Sequence, residues 1–250
     1  MYDILETNLS FEYLKKVFRI KNMILIGGWA TYFYVNENYR KAFGLEYIKS
    51  RDIDIFIKSI YLSEFIKEIK KLGFIPSSYF FRYELIYNRN KNKIVTEKEG
   101  RKQPIYDLVY IFLDLFTDQK SEKAWYLDIF KKIKIFKIEK ADALDSNTFD
   151  SGVFDVSKYV NVCDINTLLE LKCVSFFERE KLDKEFKDAC DIYALLIYSE
   201  KIFKVTKNIR NSIEKIIRRR DLSEFIAENV LRDVTKVNIV ISNLSKIMKK

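Results

Sequence analysis

Apolar positions recur along this chain with two different periods, and the change from one regime to the other divides it. In the first part Leu9, Phe11, Leu14, Val17 and Phe18 fall near helical spacing and predict a helix over residues 8–19. Met23 to Ile26 is a short apolar run closed by Gly27-Gly28 and predicts a strand. Trp29 to Asn36 then reads as a helix opened by the glycine pair, and Arg40 to Lys49 as the connection back to a sheet. The run Asp52-Ile53-Asp54-Ile55-Phe56-Ile57 is the clearest strand in the chain. Leu62, Phe65, Ile66, Ile69 and Leu72 share one face of a helix over 61–72, which Gly73 terminates as a C-cap glycine does. Two strand-like runs, Tyr79 to Tyr87 and Ile105 to Phe116, flank a lysine-rich stretch, Asn88 to Lys102, that reads as an exposed hairpin loop. A third apolar run, Tyr126 to Ile138, continues the sheet or begins its cover.

Asp, Ser, Asn and Gly cluster over Ala141 to Lys158, a loop and the best domain boundary. Beyond it the chain reads as helical to the end, with segments near 165–181, 185–199, 205–219 and 222–248, and Thr167 with Glu170 fits a capping box. No fixed-period repeat is visible. The pattern therefore predicts an α/β or α+β domain over residues 1–158 followed by a helical domain over 159–250.

Composition narrows the chemistry. With 250 residues, 48% of them apolar, the chain can bury a substantial core. No run of eighteen apolar residues occurs, the best stretches being broken by Gly27, Gly28 and Thr31 or by Asp107 and Asp114, so no membrane span and no membrane partner is expected. The opening residues lack the pattern of a secretory signal, and the expected location is cytoplasmic. Cys163, Cys173 and Cys190 form no CxxC pair and are odd in number, which argues for buried or idle thiols. There is no histidine, so Ser-His-Asp triads, Cys-His dyads and histidine zinc sites are excluded. Catalysis must then run on carboxylates, lysines, tyrosines, backbone amides or metal. A net charge of +9 favours polyanions such as nucleoside triphosphates or RNA, although an AT-rich genome or a warm habitat produces the same lysine excess.

Two of only six glycines stand together at a strand-to-helix turn, where backbone can approach a ligand and helix amides suit a phosphate. Alternation along the next strand sends Asp52 and Asp54 to one face, roughly 6 to 7 Å apart, and their repulsion calls for a divalent cation, magnesium above all. Each part alone has an ordinary explanation, a tight turn or a solvated edge. Their order is what carries meaning. Gly27-Gly28-Trp29-Ala30 followed by Ser50-Arg51-Asp52-Ile53-Asp54-Ile55 resembles the polymerase-β-like nucleotidyltransferase superfamily, and within it the small enzymes that include antibiotic-modifying nucleotidyltransferases and AbiEii-type toxins.

That resemblance implies an α+β catalytic core with a mixed sheet, a helical domain closing the nucleotide cleft, and a third carboxylate on a neighbouring strand. Asp114, isolated in the apolar run Tyr110 to Phe116, is the choice for it and Asp107 the runner-up; an odd separation means that only one of them can face the metal. Asp52, Asp54 and Asp114 would hold Mg2+ or Mn2+ and perform catalysis. Gly27, Gly28, Ser50 and Arg51 would meet phosphates. The AbiEii-like pattern of helix lysine, arginine and Lys-Asp-x-x-Asp is matched by Lys172, Arg179, Lys187, Asp188 and Asp191, and Lys172 and Arg179, two turns apart on one face, would reach the triphosphate. The implied activity is transfer of a nucleotidyl group from ATP, GTP or CTP to an acceptor hydroxyl. A toxin-like enzyme acting on RNA, with a small antitoxin-like protein as partner, stands beside a small-molecule, aminoglycoside-like transferase and a non-catalytic nucleotide-binding protein of the same fold.

Overall fold

The computed structural model describes residues 4–118, 135–139 and 159–249. Helix α1 (Ile4–Val17) leads into β1 (Met23–Ile26), four apolar residues that are all buried, and then α2 (Gly27–Phe43). After β2 (Ile53–Ile57) and α3 (Ser59–Lys71) come β3 (Ile75–Pro76), β4 (Arg82–Asn88), β5 (Lys93–Val95), the single turn α4 (Glu97–Gly100) and β6 (Leu108–Phe116). Strands β7 (Ile135–Glu139) and β8 (Tyr159–Cys163) complete an eight-stranded mixed sheet in the order β3-β4-β6-β2-β1-β8-β7, with β5 paired to β4. Helices α5 (Ile165–Glu178), α6 (Leu182–Tyr198), α7 (Lys207–Arg218), α8 (Arg220–Asn229) and α9 (Val237–Met248) follow. The fold class is α+β, as the alternating and helical periods predict.

The chain forms two compact units. One takes in the described residues up to Trp29 and those from Ile48 to Val162; the other takes in Ala30–Tyr47 and Cys163 onward. The expected division at residue 158 falls within 141–158, which lies outside the described residues, as does most of the apolar run 126–138.

In the sheet unit, β1 and β2 are antiparallel neighbours, β2 and β6 run parallel, and β4 returns antiparallel along β6. Trp29, fully buried, stacks on Phe11 of α1 and donates its indole N–H to Ser10, so the residue after the glycine pair anchors the turn. Helix α3 stops as the glycine predicts: Gly73, with a φ of 97°, donates to Lys70 and Phe74 donates to Ile69, the paired bonds of a Schellman end. Its first amide, at Ser59, donates to Asp118.

Several boundaries differ from those the pattern predicts. Helix α2 runs through Phe43 and absorbs the start of the expected connection. The stretch 88–102 is more than a loop: β5 pairs with β4, and Thr96 and Glu99 close a capping box on α4, with Val95 packed against Ile86 and Leu108. Residues 105–107 form a 3-10 turn, so β6 begins only at Leu108.

The helical unit is built around apolar faces of α5 and α6 that bury Leu168, Leu169, Phe176, Ile192 and Leu195. Asp164, rather than Thr167, caps α5; its carboxylate accepts the amides of Asn166 and Thr167 and the Thr167 hydroxyl. Glu170 instead accepts from the Thr206 hydroxyl and the Asn208 amide. The segment expected as one helix over 222–248 divides at Arg232, whose φ is 57°, and Asp233 caps a 3-10 turn before α9. The three cysteines are buried and free, and burial pushes the Cys173 thiol up to about 12. Among the described residues no helix is long and apolar enough to cross a membrane.

Candidate active site

The site grows from hydrogen-bond register across four strands. Ile26 at the end of β1 pairs with Asp54 of β2, Asp54 pairs with Asp114 of β6, and Asp114 pairs with Arg82 of β4. Side chains paired laterally leave a sheet on the same face, so Asp54, Asp114 and Arg82 form one row, neighbours being about 4.8 Å apart between strands. Asp52 lies just ahead of β2. Asp107 sits in the 3-10 turn before β6, about 23 Å along the strand direction from Asp114 at 3.3 Å per residue. Of the two acids weighed as a third carboxylate, Asp114 is therefore the one beside Asp54.

Gly27 borders the row. Its φ is 70°, and a Cβ placed there would lie 2.0 Å from Oδ2 of Asp54 and 2.6 Å from Cγ. Only a residue without a side chain lets α2 begin this close to that carboxylate. Gly28 follows, buried, in the first turn of the helix. Ser50, also buried, donates its hydroxyl to the Asp52 carbonyl at 3.0 Å, which shapes the approach to β2. Arg51 donates Nε to Asp52 at 3.2 Å and lies 4.0 Å from Glu6, so its charge is shared between two acids.

Arg82 belongs to the row too, although the sequence pattern does not single it out. Its Nε and Nη2 donate to the two oxygens of Asp114 at 2.6 and 2.7 Å, and its guanidinium rests 4.5 Å from the Phe112 ring centroid. Hydrogen bonding to Asp114 holds the guanidinium well above its ordinary value, with the charges of Asp114, Asp52 and Asp54 acting in the same direction against the cost of burial. All three acids thus act on one cation. Sequence offers one signal for it: two strands flanking a hairpin must pair. The residue opposite Asp114 cannot be counted from that, because β5 and α4 interrupt the connection.

The remaining predicted residues gather in the helical unit. Lys172, 8% exposed, donates to Asp188 at 3.0 Å and lies 2.6 Å from Asp191. Arg179 donates Nε to Asp188 at 2.6 Å, Lys187 reaches Asp191 at 3.3 Å, and the Tyr47 hydroxyl donates to Asp191 at 2.9 Å. Burial would lower the Lys172 ammonium, but Asp188 and Asp191 outweigh it and hold it above its ordinary value. Burial would raise the Asp188 carboxyl, but Lys172 and Arg179 hold it below. The resemblance implies that Lys172 and Arg179, expected on one helix face, meet a triphosphate; in the structure the helix ends at Glu178, Arg179 follows in extended backbone, and both charges are engaged by carboxylates of their own unit.

Carboxylate oxygens are the donors that magnesium takes. As arranged, however, the row does not fit a cation: both oxygens of Asp114 are engaged by Arg82, and among the described residues no three His, Cys, Asp or Glu side chains converge to hold a metal.

No family model and no curated protein matches the sequence. The chain is similar to the solved structure of an antigenic nucleotidyltransferase-like protein from Paracoccidioides brasiliensis, with 16% identity, 92% of this chain and 95% of that chain covered, and a TM-score of 0.43. It is also similar to the Megavirus polyadenylate synthase, with 15% identity, 88% of this chain covered but only 39% of that one, and a TM-score of 0.37. Likenesses this distant do not define a reaction, and the chemistry rests on the residues themselves.

Proposed function

We propose that the chain is a nucleotidyltransferase of the AbiEii-like kind, moving a nucleoside monophosphate from a nucleoside triphosphate to an acceptor hydroxyl. One observation carries this reading: Asp54 and Asp114 stand in lateral register on adjacent strands, beside a glycine whose missing side chain lets a helix start against Asp54. Two carboxylates side by side repel one another unless a cation accompanies them, a part Arg82 plays from the Asp114 side, and a helix amide terminus suits an anion. Together they suit a substrate that brings phosphates to the helix start beside a carboxylate row.

In the proposed reaction the acceptor oxygen attacks the α-phosphorus, the bond to pyrophosphate breaks, and the hydroxyl proton passes to a carboxylate of the row. Asp114 is the base of choice once Arg82 no longer occupies it. The Gly28 amide, Ser50 and Arg51 would orient phosphates, and Arg51 is already poised over the Phe112 ring at 5.5 Å. Magnesium or manganese is the cofactor this chemistry calls for. RNA is the proposed acceptor, supported by the net charge of +9, and a small acidic antitoxin-like protein is the proposed partner.

The test is transfer of label from each α-labelled triphosphate to total RNA and, in parallel, to aminoglycosides. Asp52→Ala and Asp54→Ala should abolish transfer while leaving thermal unfolding in place; full activity in both variants refutes the assignment. Label appearing on aminoglycosides alone would replace RNA as the acceptor.

A further inference from the structure

We propose that the cleft between the end of α1 and one face of α3 is a second, separate binding site, and that it takes a nucleotide, free or as one residue of an RNA strand. The site goes beyond the transfer reaction and does not depend on it. Asn22 lines the cleft and precedes β1, whereas Gly27 follows that strand, so the four residues of β1, about 13 Å at 3.3 Å each, lie between the cleft and the carboxylate row.

The spacing of α3 builds one wall. Tyr61, Glu64, Phe65, Glu68 and Leu72 recur at intervals of three and four residues and form a single stripe of the helix and its end. The turn from α1 into β1 builds the other wall, with Arg19, Lys21 and Asn22 exposed upon it. Between them lies a cavity of about 340 Å³. Small-molecule sites run from roughly 300 to 1,000 Å³, and the lower end of that range suits one nucleotide.

The lining calls for a ligand of mixed character. Lys16 and Lys71 join Arg19 and Lys21, so four cations face two carboxylates, Glu64 and Glu68. The excess of positive charge favours a phosphate, and the guanidinium of Arg19 supplies the fork that phosphate oxygens accept. A bare polyanion would be repelled by the two acids, whereas ribose hydroxyls would donate to them. Buried Phe65, with Ile20 and Leu72, adds an apolar lining, and the half-buried ring of Tyr61 offers a surface for a planar base. Phosphate, hydroxyl donors and a flat apolar ring in one small ligand describe a nucleotide. The cations are available to it: Lys71 and Glu68 pair at 2.6 Å, but at 71% and 40% exposure that pair holds weakly and yields to a phosphate. Lys16 is steadied instead by the Tyr13 ring, 4.2 Å from its ammonium.

Nuclear magnetic resonance titration tests this, following the amides of Asn22, Glu64 and Leu72 in the full chain as adenosine 5′-monophosphate or an RNA of about ten nucleotides is added. Both probes should give saturable shifts at these amides; no saturable shift with either overturns the site. Tighter binding of the RNA identifies a strand as the natural source, and tighter binding of the mononucleotide a free nucleotide. Replacing Arg19→Gln and Lys21→Gln together, both exposed and so without consequence for folding, should weaken binding about a hundredfold, about tenfold for each charged hydrogen bond lost. Lys98→Gln with Arg101→Gln removes the same charge from an exposed turn elsewhere in the unit and should bind as the parent does. Equal weakening in the two double variants would leave only non-specific attraction and overturns the site. Tyr61→Leu should weaken the mononucleotide but not inorganic phosphate; phosphate binding as tightly as the mononucleotide overturns the nucleotide assignment. Asp54→Ala should leave the shifts unchanged. Their loss in Asp54→Ala, with retention in Arg19→Gln/Lys21→Gln, would put the nucleotide at the carboxylate row, overturning the second site while the transferase reading stands.

Discussion

Replacement of Gly27 by alanine tests the close approach on which the candidate site is built. Two costs combine there. A φ of 70° is left-handed backbone, worth about 1 to 2 kcal/mol against any residue with a Cβ. The new methyl would also fall 2.0, 2.6 and 2.8 Å from Oδ2, Cγ and Cβ of Asp54, far inside contact distance. Asp54 cannot retreat easily, because β2 is held by β1 on one side and β6 on the other. Overpacking of that kind costs about 1 to 3 kcal/mol, so Gly27→Ala should lose about 2 to 5 kcal/mol in all. Gly73→Ala is the control in the same unit: its φ of 97° is also left-handed, but its nearest neighbour lies at an ordinary 3.6 Å, so only the backbone cost applies. Urea denaturation, read as a change in midpoint at constant slope, should separate the two variants clearly. Adding Asp54→Ala to Gly27→Ala removes the two shortest contacts and should restore part of the excess. In the transfer assay Gly27→Ala should lose about a hundredfold, because the displaced group, Asp54, belongs to the carboxylate row proposed to do the chemistry. A Gly27→Ala protein as stable as Gly73→Ala, with transfer intact, would refute the close approach as a functional feature.

Three further outcomes bear on the helical unit and its charges. Lys172→Met should destabilise that unit by about 3 to 5 kcal/mol in chemical denaturation, because it leaves Asp188 and Asp191 buried without their shared cation; an unchanged midpoint would mean the network holds nothing together. Because the Asp188 carboxyl lies below its ordinary 3.8, its contribution is complete above that pH and is lost as pH falls through the depressed value. Lys172, held above its ordinary 10.5, contributes fully below that pH and loses its contribution only as pH rises through the elevated value. A melting temperature flat across neutrality and falling at both extremes checks this, and Asp188→Asn should flatten the acid limb. Asp164→Ala should cost about 1 kcal/mol through loss of the α5 cap, and Thr167→Ala less, the reverse of what a Thr167 to Glu170 capping box predicts.

How much of the molecule is legible in its sequence depends on the range over which each signal acts. Alternation and the glycine pair are local, so β1, the turn and Asp54 of β2 stand where periodicity puts them. Asp114 is legible for a different reason: an acid alone in an apolar strand must have a use or a partner, and it has both a neighbour in Asp54 and a counter-ion in Arg82. Arg82 itself is hidden, because its meaning comes only from standing opposite Asp114 across a connection of unpredictable path. Lys172 of α5 and Arg179 just beyond its end show the same limit from the other side. Helical spacing predicts Lys172 and Arg179 on one face of one helix, but the helix ends at Glu178 and Arg179 follows in extended backbone; nor can spacing along one helix say what the facing helix carries, and α6 carries Asp188 there. In both units, then, single-element patterns locate the charged residues, while tertiary register chooses their partners. Pairing determines whether a charge remains available to a ligand, and at Asp114 that availability turns on one arginine.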